Sequence, residues 1–254
     1  MTRHLSAEWT KLRTLPGTGR LLLALVMLTV AVSVAAAAVV SCTSAGCGYD
    51  PAKISLFGIQ AGQAVVAILA VPAISGEFST GMIRTTLAAM PGRISVLAAK
   101  AVILTGLTLA AGSVAVLASA LAGRRILLDN GFPPESPALT GGPMLRAAFG
   151  SVLYLALIAL LSLGIATAVR DSATAIGVVL GLLYLFPAII LMVPDADVAE
   201  LLWQVSPMNA GLAVQATTHL SSLPLGPWAG LGVLAAWATA ALLGGGLLLR
   251  ARDA

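Results

Sequence analysis

The sequence predicts an all-α integral membrane protein with six transmembrane helices. Of its 254 residues 59% are hydrophobic and 9% charged, and the mean hydropathy is +1.00. A soluble domain carries about 25% charged residues, so a water-facing surface is not what this chain builds. Apolar runs recur at about 20 residues, the length that crosses the hydrocarbon layer of a bilayer. The runs are continuously apolar rather than alternating, which favours helices over a β-barrel. A single transmembrane domain over residues 1–254 follows.

The elements can be justified in order. In residues 1–16, Leu5, Trp9, Leu12 and Leu15 fall near one helical face, with Arg3, Glu8, Lys11 and Arg13 elsewhere. A helix with that split lies in the headgroup layer, its Trp at the interface; a frayed tail is the alternative. Pro16 and Gly17 break it. Spans are expected at about 21–40, 55–75, 95–122, 147–169, 172–193 and 227–249. The third is long enough to tilt or protrude. Pro187 is expected to kink the fifth. The first run is longer than a signal-peptide core, so it is read as a retained span. Residues 194–226 are half apolar and carry Leu201, Leu202 and Trp203. Short re-entrant helices are expected there, as an outer gate or a packed cap.

Basic residues set the orientation. With the N-terminus cytoplasmic, ten of the 14 Lys and Arg residues fall inside: Arg3, Lys11, Arg13, Arg20, Arg84, Arg93, Lys100, Arg170, Arg250 and Arg252. Lys53, Arg124, Arg125 and Arg146 fall outside, the Arg124–Arg125 pair being the exception to the rule. Both termini are therefore expected in the cytoplasm. The net charge of +4 is small and tied to helix ends, which argues against nucleic-acid binding.

Catalytic motifs are missing. No G-x-x-x-x-G-K-[ST] loop, H-E-x-x-H, C-x-x-C or G-x-S-x-G is present. His4 and His219 read as solvated side chains, and no metal site is expected. Within the expected spans Lys100 is the one charge, close enough to an end to snorkel. Ion-coupled carriers keep an acid or a His in the membrane interior, and none is found in these spans. Cys42 and Cys47 share a short loop and either pair in a disulfide or stay reduced. Gly177 and Gly181, Gly226 and Gly230, and the triple 244–246 are candidate packing faces.

The polar island at 76–93, GEFSTGMIRTTLAAMPGR, interrupts the apolar pattern. Read as a helix over 79–90, it mixes Ser79, Thr80, Arg84, Thr85 and Thr86 with Met82, Ile83, Leu87 and Met90. Glu77 stands near its start, and Pro91 with Gly92 would stop it. Such a helix either docks in a groove of a cytoplasmic partner or rests on lipid headgroups.

Three segments resemble one family. SAEWTKLRT at 6–14, SGEFSTGMIRTTLAAMPGR with LAAK over 75–100, and SPMNAG at 206–211 are similar to segments of bacterial ABC exporter permeases of the type-two class. The resemblance covers most of the chain, including the six-span layout. It implies a permease homodimer or pseudo-dimer paired with two copies of an ABC ATP-binding subunit. ATP and Mg would bind in that subunit, with no cofactor and no catalytic site in this chain. Residues 1–16 would be an elbow helix, carrying Trp9, Lys11, Leu12 and Arg13. Residues 76–93 would be a coupling segment, with Glu77, Ser79, Thr80, Arg84, Thr85, Thr86 and Met90 as contacts. One departure is that Glu77 stands alone before the order Thr80-Gly81, where commoner members carry a charge-rich run before Gly-Thr.

The expectation is an exporter subunit of a bacterial cell membrane, moving a hydrophobic or amphipathic cargo such as a drug, antibiotic, peptide or lipid-like molecule. Phe57, Tyr154, Tyr184 and Phe186 are the candidate path residues. The alternative is a membrane anchor or immunity-type protein that binds a lipid or peptide without ATP-driven transport.

Overall fold

The computed structural model describes residues 16–42, 48–82, 92–133 and 141–251. These residues are helical without strands, and six helices are long and apolar enough to cross a membrane. The chain is a multi-pass membrane protein. Residues 1–15, with Trp9, Lys11, Leu12 and Arg13 of the expected elbow helix, lie outside the described residues.

Helix α1 (Pro16–Ala38) starts on the proline that was expected to end a helix. Proline suits a first turn, because the N–H it lacks has no intrahelical partner there. The helix is apolar all round, and one stripe packs inward: Leu25, Thr29, Ser33 and Ala37, four residues apart, are fully buried.

The second span departs from the expected 55–75. Helix α2 (Pro51–Ser55) is a short piece capped by the Asp50 carboxylate, which accepts from the Ala52 N–H at 3.1 Å. A turn follows, and the span runs as α3 (Ile59–Ala70) and α4 (Pro72–Ser79). The turn is set by a helix crossing. The Gly58 N–H donates to Ser33 Oγ at 3.0 Å, and a Cβ on Gly58 would stand 1.9 Å from the Thr29 carbonyl oxygen. Pro72 interrupts the ladder but does not end the span: it opens α4 in the position that tolerates it.

Helix α5 (Arg93–Asp129) has 37 residues, against the expected 95–122. At 1.5 Å per residue it is about 55 Å long, well beyond a hydrocarbon core of about 30 Å. Helix α6 (Gly142–Val169) is the centre of the bundle, packed against α1's neighbours α3 and α5. Arg170 closes it with a left-handed φ of 65°, and Asp171 caps the next helix by accepting from the Thr174 N–H at 2.8 Å.

That next span is α7 (Ser172–Leu180), a π turn (Gly181–Leu185) and α8 (Phe186–Ile190), ending before the expected residue 193. The Phe186 N–H bonds to the Gly181 carbonyl, five residues back. Widening the turn there accommodates the ring of Pro187, whose clash with the carbonyl four residues earlier would break an α-helix. Short helices then form the expected excursion: α9 (Ala196–Val205) and α10 (Pro207–Leu212), capped by Asp195 and Ser206. Helix α11 (Pro227–Ala251) is the last span.

The spans alternate in direction. Ser75 meets Ser172 at one face of the bundle, where α1 starts and α11 ends; Asp50 meets Thr217 at the other. We call these the terminal face and the cap face. Small residues set the closest helix approach: Gly245 of α11 is so near that a Cβ would lie 2.6 Å from the Gly164 carbonyl oxygen of α6.

Candidate functional site

Two polar clusters stand out from the apolar bundle. The first lies at the terminal face, where α4 continues the second span past Pro72. Lys100 Nζ donates to Glu77 Oε1 at 2.7 Å, and both side chains are 2% exposed. Ser75 Oγ and Ser172 Oγ share a hydrogen bond of 2.7 Å, tying α4 to α7. Phe78 lies beneath the Arg170 guanidinium, 5.0 Å from ring centroid to Cζ, a cation–π distance. Three helix junctions are thus held together around eight residues of helix. Asp171 at this face has its pKa held below the ordinary carboxylate value by hydrogen bonds from the Thr174 side chain and backbone.

This geometry corrects several expectations. Glu77 is not the exposed start of a docking helix. It sits in the last turn of α4 with its carboxylate turned into the protein. Lys100 does not snorkel to the interface; the buried carboxylate holds it instead. Ser79 and Thr80 end a helix rather than begin one: both hydroxyls donate back to the Gly76 carbonyl, at 3.1 and 2.7 Å. Gly81 then takes a left-handed φ of 69°, which stops α4 at a residue with no Cβ to oppose it. Arg84, Thr85, Thr86 and Met90 lie outside the described residues.

The second cluster runs along the cap-facing half of α3. Tyr154 O–H donates to Gln63 Oε1, and Gln63 Nε2 donates to Met208 Sδ at 3.3 Å. All three are buried, so span 2, span 4 and the cap are joined by one polar chain. One turn away, the Tyr184 hydroxyl donates to the Gln60 carbonyl. Beside this chain a cavity of about 280 Å³ opens at the cap face, lined by Lys53, Phe57, Gln60, Trp203, Met208 and Asn209 among others. Its walls combine two aromatic faces, the three amides of Gln60, Asn209 and Gln215, and one ammonium, a set suited to an amphipathic guest.

Of the expected path residues, Phe57 lines this cavity. Tyr184 hydrogen-bonds its Gln60 wall, Tyr154 is fully buried behind it, and Phe186 is half-buried on α8, outside the lining. Gln60 and Gln63 went unremarked in the sequence. The signal was available: two amides three residues apart on one face of an otherwise apolar span.

The cap is anchored, not loosely hung. The Asp50 carboxylate accepts from the Thr217 N–H and hydroxyl at 2.5 and 2.6 Å and from the Thr218 N–H at 3.0 Å. Burial pushes the Asp50 pKa up, but bonds from Thr217, Thr218 and Lys53 outweigh it and hold the group below its ordinary value. Arg146 Nη2 donates to the Ala216 carbonyl at 2.5 Å, and Gln215 Nε2 to Ser151 Oγ at 3.0 Å. Contacts from Arg146 to Tyr154 carry the cap along about 12 Å of α6. Cys42 is disulfide-bonded, and Cys47 lies outside the described residues.

Comparison with protein-family models finds no match, and comparison with curated proteins finds none either.

Proposed function

We propose that the chain is the membrane-spanning permease subunit of an ATP-driven ABC exporter. It would work as a homodimer or pseudo-dimer of permeases with two ATP-binding subunits, which bind ATP and Mg. The observation that carries this reading is the buried Glu77–Lys100 pair. It clamps the stem of the polar segment that joins the second and third spans. A partner pressing on residues 80–92 would therefore displace α4 and α5 as one unit, and Ser75–Ser172 would pass the motion to α7. The chain offers a lever and no phosphate-binding loop, so the energy must come from a partner.

The cargo is hydrophobic or amphipathic, and the cap-face cavity is the place where we expect it before release. Its aromatic faces would hold an apolar body, and Lys53, Gln60 and Asn209 a polar end. Terminal-face residues belong on the cytoplasmic side, where ATP is.

The test is reconstitution. Co-expressed with a candidate ATP-binding subunit, the chain is expected to co-purify with it and to give ATPase activity that cargo stimulates. Vesicles containing the complex are expected to accumulate cargo only with ATP. Cargo movement by this chain alone, or no complex with any ATP-binding subunit encoded beside it, overturns the reading.

A further inference from the structure

At the terminal face α5 and α11 run antiparallel, separated by a groove. It extends over residues 94–102 of one helix and 242–250 of the other, about 12 Å of helix rise on each side. Its volume is about 470 Å³, within the range of pockets that hold small organic ligands. Ile94, Leu97, Ala98, Leu243 and Gly246 line it, and Arg250 is its one charged wall.

The sequence shapes the groove locally. In the triple 244–246, Gly245 faces α6 and permits the close crossing on Gly164, while Gly246 faces the groove and leaves its floor open. A Cβ on Gly246 would already come within 3.4 Å of Ile94 Cδ1. Arg250 lies one turn further, where the groove meets the terminal face. It is exposed and makes no ion pair with any described residue. The described acids at this face are otherwise engaged: Glu77 holds Lys100, and Asp171 caps α7.

Water has almost no polar partner along such walls, so in a bilayer an alkyl chain fills the space better. The cation at its end then selects the headgroup. Basic residues beside a groove between transmembrane helices attract anionic lipid headgroups. We propose that this groove binds one acyl chain of an anionic phospholipid from the surrounding bilayer, with the headgroup phosphate at Arg250. The site is remote from the cap-face cavity and does not depend on the transport reading.

Native mass spectrometry of the full chain, given phosphatidylglycerol and phosphatidylcholine with identical acyl chains, tests this. We expect one retained lipid, with phosphatidylglycerol preferred about fivefold, the size expected for one basic side chain at a headgroup. Arg250→Gln should abolish the preference while keeping a retained lipid. Gly246→Leu should lose the retained lipid of either kind; Ala98→Leu fills the same groove from the other helix should that variant fail to fold. Equal retention of both lipids by the unaltered chain overturns the proposal. An undiminished preference in Arg250→Gln overturns it too, as does a dimer that forms in place of lipid binding and disappears in the filled variants.

Discussion

Lys100 and Glu77 are 23 residues apart and meet at 2.7 Å in a site closed to solvent. They join the end of the second span to the start of the third, so the polar segment between them leaves the bundle from a fixed stem. Removing one partner of a buried pair leaves a charge without its main counter-charge and costs about 3–5 kcal/mol, whereas replacing both is often neutral. Lys100→Met is therefore expected to lower the heat stability of the purified chain severely. Glu77→Gln with Lys100→Met should recover more than half of the loss. Monodispersity after heating, measured by size-exclusion chromatography, follows both. Equal damage in single and double variants would mean the pair does not hold the stem.

Asp50 gives a prediction in pH. Its pKa in the folded chain lies below the ordinary carboxylate value, so it stabilises the cap in full above that ordinary value. The contribution fades as pH falls below the ordinary carboxylate value and through the lower folded one. Asp50→Asn is expected to cost about 1–3 kcal/mol at neutral pH, since the bonds it weakens are charge-assisted. The variant should also show less acid sensitivity than the unaltered chain. Protease susceptibility of the cap across pH 2–6, a range of roughly two units either side of the carboxylate value, measures it.

How far the sequence reveals this fold depends on the length scale of the signal. The six spans are legible because a run of about 20 apolar residues has few other uses. The extra length of α5 was hidden by Gly123, Arg124 and Arg125, which look like a loop. In the structure Gly123 lies against Ser55, while both arginines point outward from a continuous helix. The π turn was invisible because Gly181–Leu185 is as apolar as its flanks; only Pro187 hinted at a distortion. The Glu77–Lys100 pair was illegible for a different reason. Each residue looked like an isolated polar position near a span end, and only the reversal of the chain between them makes them partners.

Tyr154 and Gln63 carry the third prediction. Tyr154→Phe leaves the buried Gln63 carbonyl without its donor, at a cost of about 1–3 kcal/mol. Gln63→Leu combined with Tyr154→Phe removes both partners and should cost less than the sum of the single changes. Hydrogen exchange of the cap helix that carries Met208 reports the same link: both single variants are expected to speed exchange at 207–212. A strictly additive pair, with unchanged exchange, would show that the three groups do not act as one network.

Trp203 separates the cargo reading from mere cap packing. It lines the cap-face cavity on α9, a helix with no fully buried residue, so truncation should spare the bundle. In the complex with its ATP-binding subunit, Trp203→Ala is expected to weaken cargo stimulation of ATPase activity by about tenfold in half-maximal concentration, the scale of one lost aromatic contact. Basal ATPase activity should be unchanged. Loss of basal activity instead would make Trp203 a structural residue.

Gly58 and Gly177 look alike in the sequence, each a small residue in an apolar stretch, but the structure places them differently. A Cβ on Gly58 would overlap the backbone of α1, 1.9 Å from the Thr29 oxygen. Nothing stands within 4 Å of the same position on Gly177. Gly58→Val must therefore push α1 away from the second span and break the bond from the Gly58 N–H to Ser33, and loss of folded protein is the expected result. Gly177→Val adds a methyl-rich surface to α7 facing open space, and the monomer should keep its stability. If α7 is instead a face where two copies meet, the monomer will still fold while the dimer fraction drops, because a valine holds the backbones of two helices apart. Thermal stability and cross-linked dimer yield, measured on the same samples, distinguish a close crossing inside the chain from one between chains.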